Sequence, residues 1–187
     1  RETGSCQIHL PLQSENSRTF FGKYRGTVLN NIDPEQKGRL MLNIPDVLGV
    51  SPSSWAEPCV PLAGPTGPPM GAYMVPPIGT GVWVEFEQGN PDYPIWVGCR
   101  WGSSSDIPPA ANQGLPTSPN IVIQSFLQHN IVISDLPGPT GGIILSSTTG
   151  ATIKVNDIGI TIDNGKGAKI EMIGPAIDMN NGAFKVI

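Results

Sequence analysis

The stretch GATIKVNDIGITIDNGKGAKIEMIGPAIDMNNG, residues 150–182, decides how the second half of this chain folds. Glycines stand at Gly150, Gly159, Gly167, Gly174 and Gly182, at steps of 9, 8, 7 and 8. Between them apolar and polar residues alternate. Ile153 and Val155 interleave with Lys154 and Asn156, Ile160 and Ile162 with Thr161 and Asp163, and Ile170 and Met172 with Lys169 and Glu171. A period of two places each set on its own face of a β-strand. Gly, Asn and Asp stand where the chain turns with positive φ. A glycine-punctuated period near eight predicts a solenoid of short strands with needle turns at those five glycines.

The pattern extends over residues 121–187. Strand candidates follow one another at 121–123, 131–133, 143–145, 153–155, 158–162, 170–173, 177–179 and 184–186. The segment holds fourteen Ile but no Trp or Tyr, and its only aromatics are Phe126 and Phe184. A strand-and-turn unit of this length is too short to wrap a core of its own. Three copies around a common axis solve this, each supplying one wall of a triangular prism. Ile153, Val155, Ile160, Ile162, Ile170, Met172, Ile177, Met179, Phe184 and Val186 then fill the centre. Ladders between chains would satisfy the backbone polar groups, and closure would remove the side edges. About eight layers at roughly 5 Å each give a shaft on the order of 40 Å. A β-sandwich or a single-chain solenoid is the alternative from the repeat alone.

Residues 102–120 carry four Ser and four Pro and read as a semi-rigid linker without regular elements. Residues 20–101 are different again, with all four Trp and all three Tyr. Five strands are expected there, at 20–30, 38–44, 55–62, 81–87 and 94–101. Leu40, Leu42 and Ile44 alternate in the second. In the fourth, Val82, Val84 and Phe86 share one face, and Trp83 and Glu85 the other. Turn formers separate them, and five short strands in about eighty residues is the size of a small barrel. Gly and Pro recur too often for a helix. Residues 1–19 read as a polar arm.

Composition narrows the function. The formal net charge is −4, and the densest basic group, Lys23, Arg25, Lys37 and Arg39, is diluted by Asp33 and Glu35, so a solvated surface is expected rather than a phosphate-binding face. Cys6, Cys59 and Cys99 form no CxxC pair, and Cys59 and Cys99 lie in apolar runs, where buried free thiols are expected. Reduced thiols suit assembly in a cytoplasm. No run of 18 apolar residues and no signal peptide is visible. His9 and His129 have no metal-ligand spacing. Asp157, Asp163 and Asp178 recur near corners without the nonapeptide calcium pattern. Glu85 and Glu87 share one strand face, unlike the opposed carboxylates of a glycosidase. No Gly-x-Ser-x-Gly elbow is present. No catalytic residue, metal or cofactor is expected.

Lys37-Gly38-Arg39-Leu40-Met41-Leu42-Asn43-Ile44-Pro45 resembles a strand of phage baseplate spike proteins and of the valine-glycine repeat proteins of type VI secretion. The resemblance continues through residues 55–62 and is closest over 75–98, where Pro77, Gly79, Val82, Val84, Phe86, Gly89, Asn90, Pro91, Asp92, Pro94 and Gly98 join Gly38 and Arg39 in the family's signature. It covers roughly residues 20–101, with the repeat tail following in the expected order.

The resemblance implies an all-β protein: a small oligonucleotide/oligosaccharide-binding (OB) barrel, then a C-terminal, intertwined triple-stranded β-helix in a homotrimer. It implies the central spike of a contractile injection machine, which docks beneath a hub and pierces the target envelope. The partners implied are the hub protein, here a separate polypeptide, and transiently the target membrane. No lysozyme-like domain separates barrel from tail, so no murein hydrolysis is expected. The end carries no histidine pair for iron, and Phe184, Val186 and Ile187 suit contact with a cone-shaped PAAR-type tip protein. Hub contacts are expected at the turns 64–70 and 88–92. A stand-alone OB module for nucleic acid or carbohydrate, stacking bases or sugars on Tyr24, Tyr73, Trp83 or Trp96, is the competing reading.

Overall fold

The computed structural model describes residues 18–65 and 67–186. The described residues divide into two compact units, on either side of the boundary between Arg100 and Trp101.

Five strands close the first unit into a barrel. They are β1 (Tyr24–Asn30), β2 (Leu40–Asn43), β3 (Pro52–Pro58), β4 (Gly81–Phe86) and β5 (Pro94–Arg100), in the order β1-β2-β3-β5-β4. β4 returns to pair with β1, and only the β3–β5 contact is parallel. The inward set is Val28, Leu40, Leu42, Ile44, Ala56, Val82, Val84, Phe86 and Trp96, all buried. Burial alternates strictly along β4, as its period of two requires. Phe20 and Tyr24 pack on Phe86 at 6.1 and 5.6 Å between ring centroids and plug one part of this core.

Two differences from expectation have local causes. The third strand starts and ends earlier than 55–62. Ser53 is buried within it because its hydroxyl accepts the Leu42 N–H at 2.9 Å and donates to the Ser54 carbonyl at 2.6 Å. A single-turn helix, α1 (Pro45–Leu48), also stands where none was expected. Pro45 begins it without needing an amide partner, and Gly49, at φ +60°, ends it by donating to the Pro45 carbonyl at 3.1 Å. The cysteines also depart from expectation: Cys59, just past β3, and Cys99, in β5 one residue from its end, are exposed. Cys6 lies outside the described residues.

The second unit is one eight-stranded sheet: β6 (Ile121–Gln124), β7 (Asn130–Ser134), β8 (Gly142–Ser146), β9 (Thr152–Val155), β10 (Ile160–Asp163), β11 (Lys169–Ile173), β12 (Ala176–Met179) and β13 (Phe184–Val186). Spatial order is chain order, and every ladder is antiparallel. The repeat is therefore a meander within one protomer rather than a solenoid, and the ladders expected between chains run between sequence neighbours. The turns explain this. Asn156 and Gly159 exchange both backbone hydrogen bonds, at 3.0 and 3.2 Å, closing a two-residue hairpin. Asn164 Oδ1 accepts the amides of Lys166 and Ala168, at 2.8 and 3.0 Å. Such closures reverse the chain fully, whereas a solenoid corner turns it only part way.

Residues 102–120 are more ordered than a linker. They hold two short 3-10 segments, Ser104–Asp106 and Pro109–Gln113. Asp106 accepts the amides of Ser103 and Gly102 at 3.0 and 2.8 Å, and these bonds hold its carboxyl below the usual carboxylate range. Asn120 ties the second segment to the sheet by donating its amide N–H to Ala111 and its side-chain N–H to Ala110.

Candidate assembly face

The register of the sheet builds the site. One row reads Ile121, Ile133, Ile143, Val155, Ile160, Met172, Ile177, Val186 across all eight strands. Beside it runs Ile123, Ile131, Leu145, Ile153, Ile162, Ile170, Met179, Phe184. Both rows lie on one face, because the residues within each strand are two apart. All ten residues expected to fill a trimer core stand in these rows. The rows are nevertheless open to solvent. Fractional exposure runs from 36% at Ile160 to 64% at Ile121 among the exposed members, and only Ile170 and Met172 are less open. A trough of about 930 Å³ lies over the second row, along Ile123, Ile131, Leu145, Ile153, Ile162 and Ile170.

The opposite face shows that this exposure is not general. Val132 and Ser134, on the outer face of β7, are buried. Further up, the outer face is charged and self-paired, with Lys169 Nζ 3.0 Å from Glu171 Oε1. An apolar face of this extent, on a sheet whose other face is polar or covered, lacks a partner.

Gly150, Gly159, Gly167, Gly174 and Gly182 all stand at turns with positive φ, between +55° and +154°. Gly142 belongs with them, although its place outside the regular step hides it in the sequence. Its φ is +89°, and an added methyl group would run into the Val155 carbonyl. The corner acids cap turns. Asp163 accepts the Gly165 amide at 2.7 Å, Asp178 the Gly182 amide at 2.7 Å, and Asp157 the Gly138 amide at 3.2 Å. His129 stands at the β6–β7 turn, on the margin of the trough, while His9 lies outside the described residues. Among the described residues no group of three His, Cys, Asp or Glu is placed to hold a metal ion.

In the barrel, the signature residues form core and turns. Val82, Val84, Phe86 and Pro94 are buried. Gly38, at φ +80°, offers its carbonyl to Trp96 Nε1 at 3.1 Å. Pro77 and Gly79 make the turn into β4, where the Pro77 carbonyl accepts the Thr80 amide and Gly79 donates to Val28. Gly89 accepts the Phe20 amide at 2.8 Å. Asn90 Oδ1 accepts the Asp92 amide at 3.0 Å, next to Pro91, and the Asp92 carbonyl accepts the Ser54 hydroxyl at 2.7 Å. Gly98 lies beside the irregularity in the β4–β5 register. In the turn at 64–70, Gly64 donates to the Met70 carbonyl at 2.8 Å, and Leu62, Met70, Tyr73 and Met74 stand exposed around it.

The supposed basic cluster is largely neutralised. Lys23 pairs with Glu85, Lys37 with Glu35, and Arg39 with both Asp33 and Glu35. Arg39 is not the solvated surface residue the sequence suggested: its side chain is 13% exposed, that of Asp33 3%. An acid in a turn six residues before the arginine was the available signal. Of the four aromatics considered as stacking platforms, Trp96 is buried and Tyr24 packs on the core. Tyr73 is exposed and Trp83 half-buried.

A closed five-stranded barrel and an open, one-sidedly apolar sheet define a two-unit, all-β protein. Residues 24–101 match the type VI secretion system/phage-baseplate injector OB domain, and residues 120–185 match the phage baseplate V C-terminal trimerisation domain. The chain belongs to the phage baseplate V family of injector spike proteins. No curated protein matches it.

Proposed function

We propose that three copies of this chain form the central spike of a contractile injection machine, as a component of a phage tail or related particle. The observation that carries this reading is the pair of apolar rows, each eight residues long and open to solvent along the whole sheet. Three such faces turned inward on a common axis bury one another and make a prism in which each meander sheet is one wall. The removal of apolar area from water drives their association. The match of residues 120–185 to a trimerisation domain supports the same stoichiometry.

In this reading the barrel docks beneath the hub, through the turns at 64–70 and 88–92. The prism leads and meets the target membrane transiently as it pierces the envelope. Its apex, at Phe184 and Val186, receives a PAAR-type tip protein; Ile187, the third residue assigned to this contact, lies outside the described residues. The protein supplies stiffness and a narrow cross-section instead of catalysis, and it assembles in the cytoplasm. A free OB module for nucleic acid is disfavoured, because Trp96 and Tyr24 are spent in the core and most of the basic group is paired.

Light scattering on the purified chain, with and without residues 121–187, tests the proposal. Three copies are expected for the full chain and one for the barrel alone. A folded single subunit at micromolar concentration overturns it. Single-stranded DNA retained on a filter at low salt would favour the competing module.

A further inference from the structure

The two most exposed large apolar side chains described in the sheet unit lie side by side at the tip of one hairpin. Phe126 is 84% exposed and Leu127 68%. They top the β6–β7 turn, which is held by the Ser125 amide on the His129 carbonyl at 2.9 Å and by Gln128 at φ +67°. The turn is therefore built, and it presents two apolar side chains to water.

The meander fixes what this tip faces in an assembly. Alternate turns fall on alternate edges. Turns at 125–129, 147–151, 164–168 and 180–183 lie on the edge beside the Ile123 row, and those at 135–141, 156–159 and 174–175 on the edge beside the Ile121 row. The sheet is longer across its strands, about 34 Å for seven spacings, than along them, about 15 Å. Its strands accordingly lie across the shaft. In a cyclic assembly the contact is head-to-tail, so one edge of each copy meets the opposite edge of the next at the same height. Within one strand spacing of the β6–β7 turn, that opposite edge carries the β7–β8 connection with exposed Pro137 and Pro139, and Ile121 and Ile133 at the near end of their row.

We infer that Phe126 and Leu127 of one copy pack against the 135–141 connection of a second copy, forming an apolar collar at the base of the sheet. The inference rests on the trimer proposed above and adds to it a specific contact outside the prism interior. The collar clasps the corners where the two apolar rows alone leave the walls free to splay. It is continuous with the inner face through Ile123 and Ile121, the most open members of their rows near the base.

Paired cysteines test this in the full chain with Cys6, Cys59 and Cys99 replaced by Ser. Leu127→Cys and Pro137→Cys stand on opposite edges of one sheet, separated by the length of β7, too far for a disulfide within a chain. The double variant is expected to give covalent dimers and trimers under mild oxidation. Neither single variant alone gives the trimer band, and an equimolar, co-refolded mixture of the two gives dimers. A three-copy particle that forms no bond between chains overturns the collar and leaves the trimer standing. A single-copy particle overturns both.

Discussion

Arg39 holds Asp33 with two nitrogens on one oxygen: Nη2 donates to Asp33 Oδ1 at 2.7 Å and Nε at 3.1 Å. The other oxygen accepts the amides of Lys37 and Arg39 at 2.8 and 3.3 Å, and Oδ1 also takes that of Glu35 at 3.0 Å. One carboxylate thus organises the whole β1–β2 connection. The guanidinium lies 5.8 Å from the centre of the Trp55 ring, which links the connection to β3.

The arginine hydrogen bonds hold the Asp33 carboxyl well below the usual carboxylate range, with the three backbone amides adding to the effect. A carboxyl depressed in the folded state stabilises fully above its unfolded value, about 3.9, and loses that contribution as pH falls through the folded one. The barrel's melting temperature is expected to be flat from pH 7 to 5 as far as this group is concerned, and to fall below about pH 4. Asp33→Asn lowers it by several degrees at pH 7 and flattens the acid decline. Calorimetry across pH checks both; an unchanged acid slope in the variant contradicts the assignment.

Ile153 and Ile162 face each other across β9 and β10 in the middle of their row. A carboxylate there would be buried three times over in the trimer, unpaired, at about 3 kcal/mol each. Ile153→Asp is expected to convert three-copy particles to single chains at micromolar concentration. Fluorescence of Trp55, Trp83 and Trp96 stays unchanged, since the barrel has its own core. Light scattering and emission spectra on one sample separate dissociation from unfolding.

Gly142 and Gly167 both have positive φ, but only Gly142 has a neighbour in the way. Gly167→Ala is expected to cost about 1–3 kcal/mol from backbone strain alone. Gly142→Ala adds the clash with the Val155 carbonyl and opens the β8–β9 contact. Hydrogen exchange at Leu145 and Ile153 is the direct measure, with faster exchange in Gly142→Ala than in Gly167→Ala.

Cys59 and Cys99 are both exposed, and partial burial raises the Cys99 thiol above its usual value. The thiolate is the reactive form. With Cys6 replaced by Ser, both are expected to react with a maleimide without denaturant at pH 7.5, Cys59 faster. The gap narrows as pH rises. Peptide mapping of partially labelled protein gives the ratio.

The positions of strands were legible because burial on one face imposes a period of two, and Val82, Val84 and Phe86 or Ile160 and Ile162 carry it plainly. The turn glycines were legible because only glycine reaches such φ values cheaply. What the sequence did not convey was direction. A unit of Ile-x-Ile and a glycine fits a solenoid or a meander equally, and the choice lies in whether Asn156 and Gly159 bond back to each other. Charge pairing was also hidden. Arg39 and Asp33 counted as surface charges until the connection folded one onto the other, and Cys99 looked buried because it lies in an apolar run. The 102–120 segment resembled a linker by composition, while Asp106 and Asn120 give it order through single side chains.

Each ladder of the sheet joins strands separated by only a short turn, so its formation is a series of brief local closures, microsecond events for a hairpin. A wall can thus be complete soon after its residues leave the ribosome, with no threading of one chain through another. In the proposed trimer the slow stage is the meeting of finished walls, which depends steeply on how many are present. The supply of spikes then follows the rate of synthesis, and scarcity of chains is enough to hold assembly back.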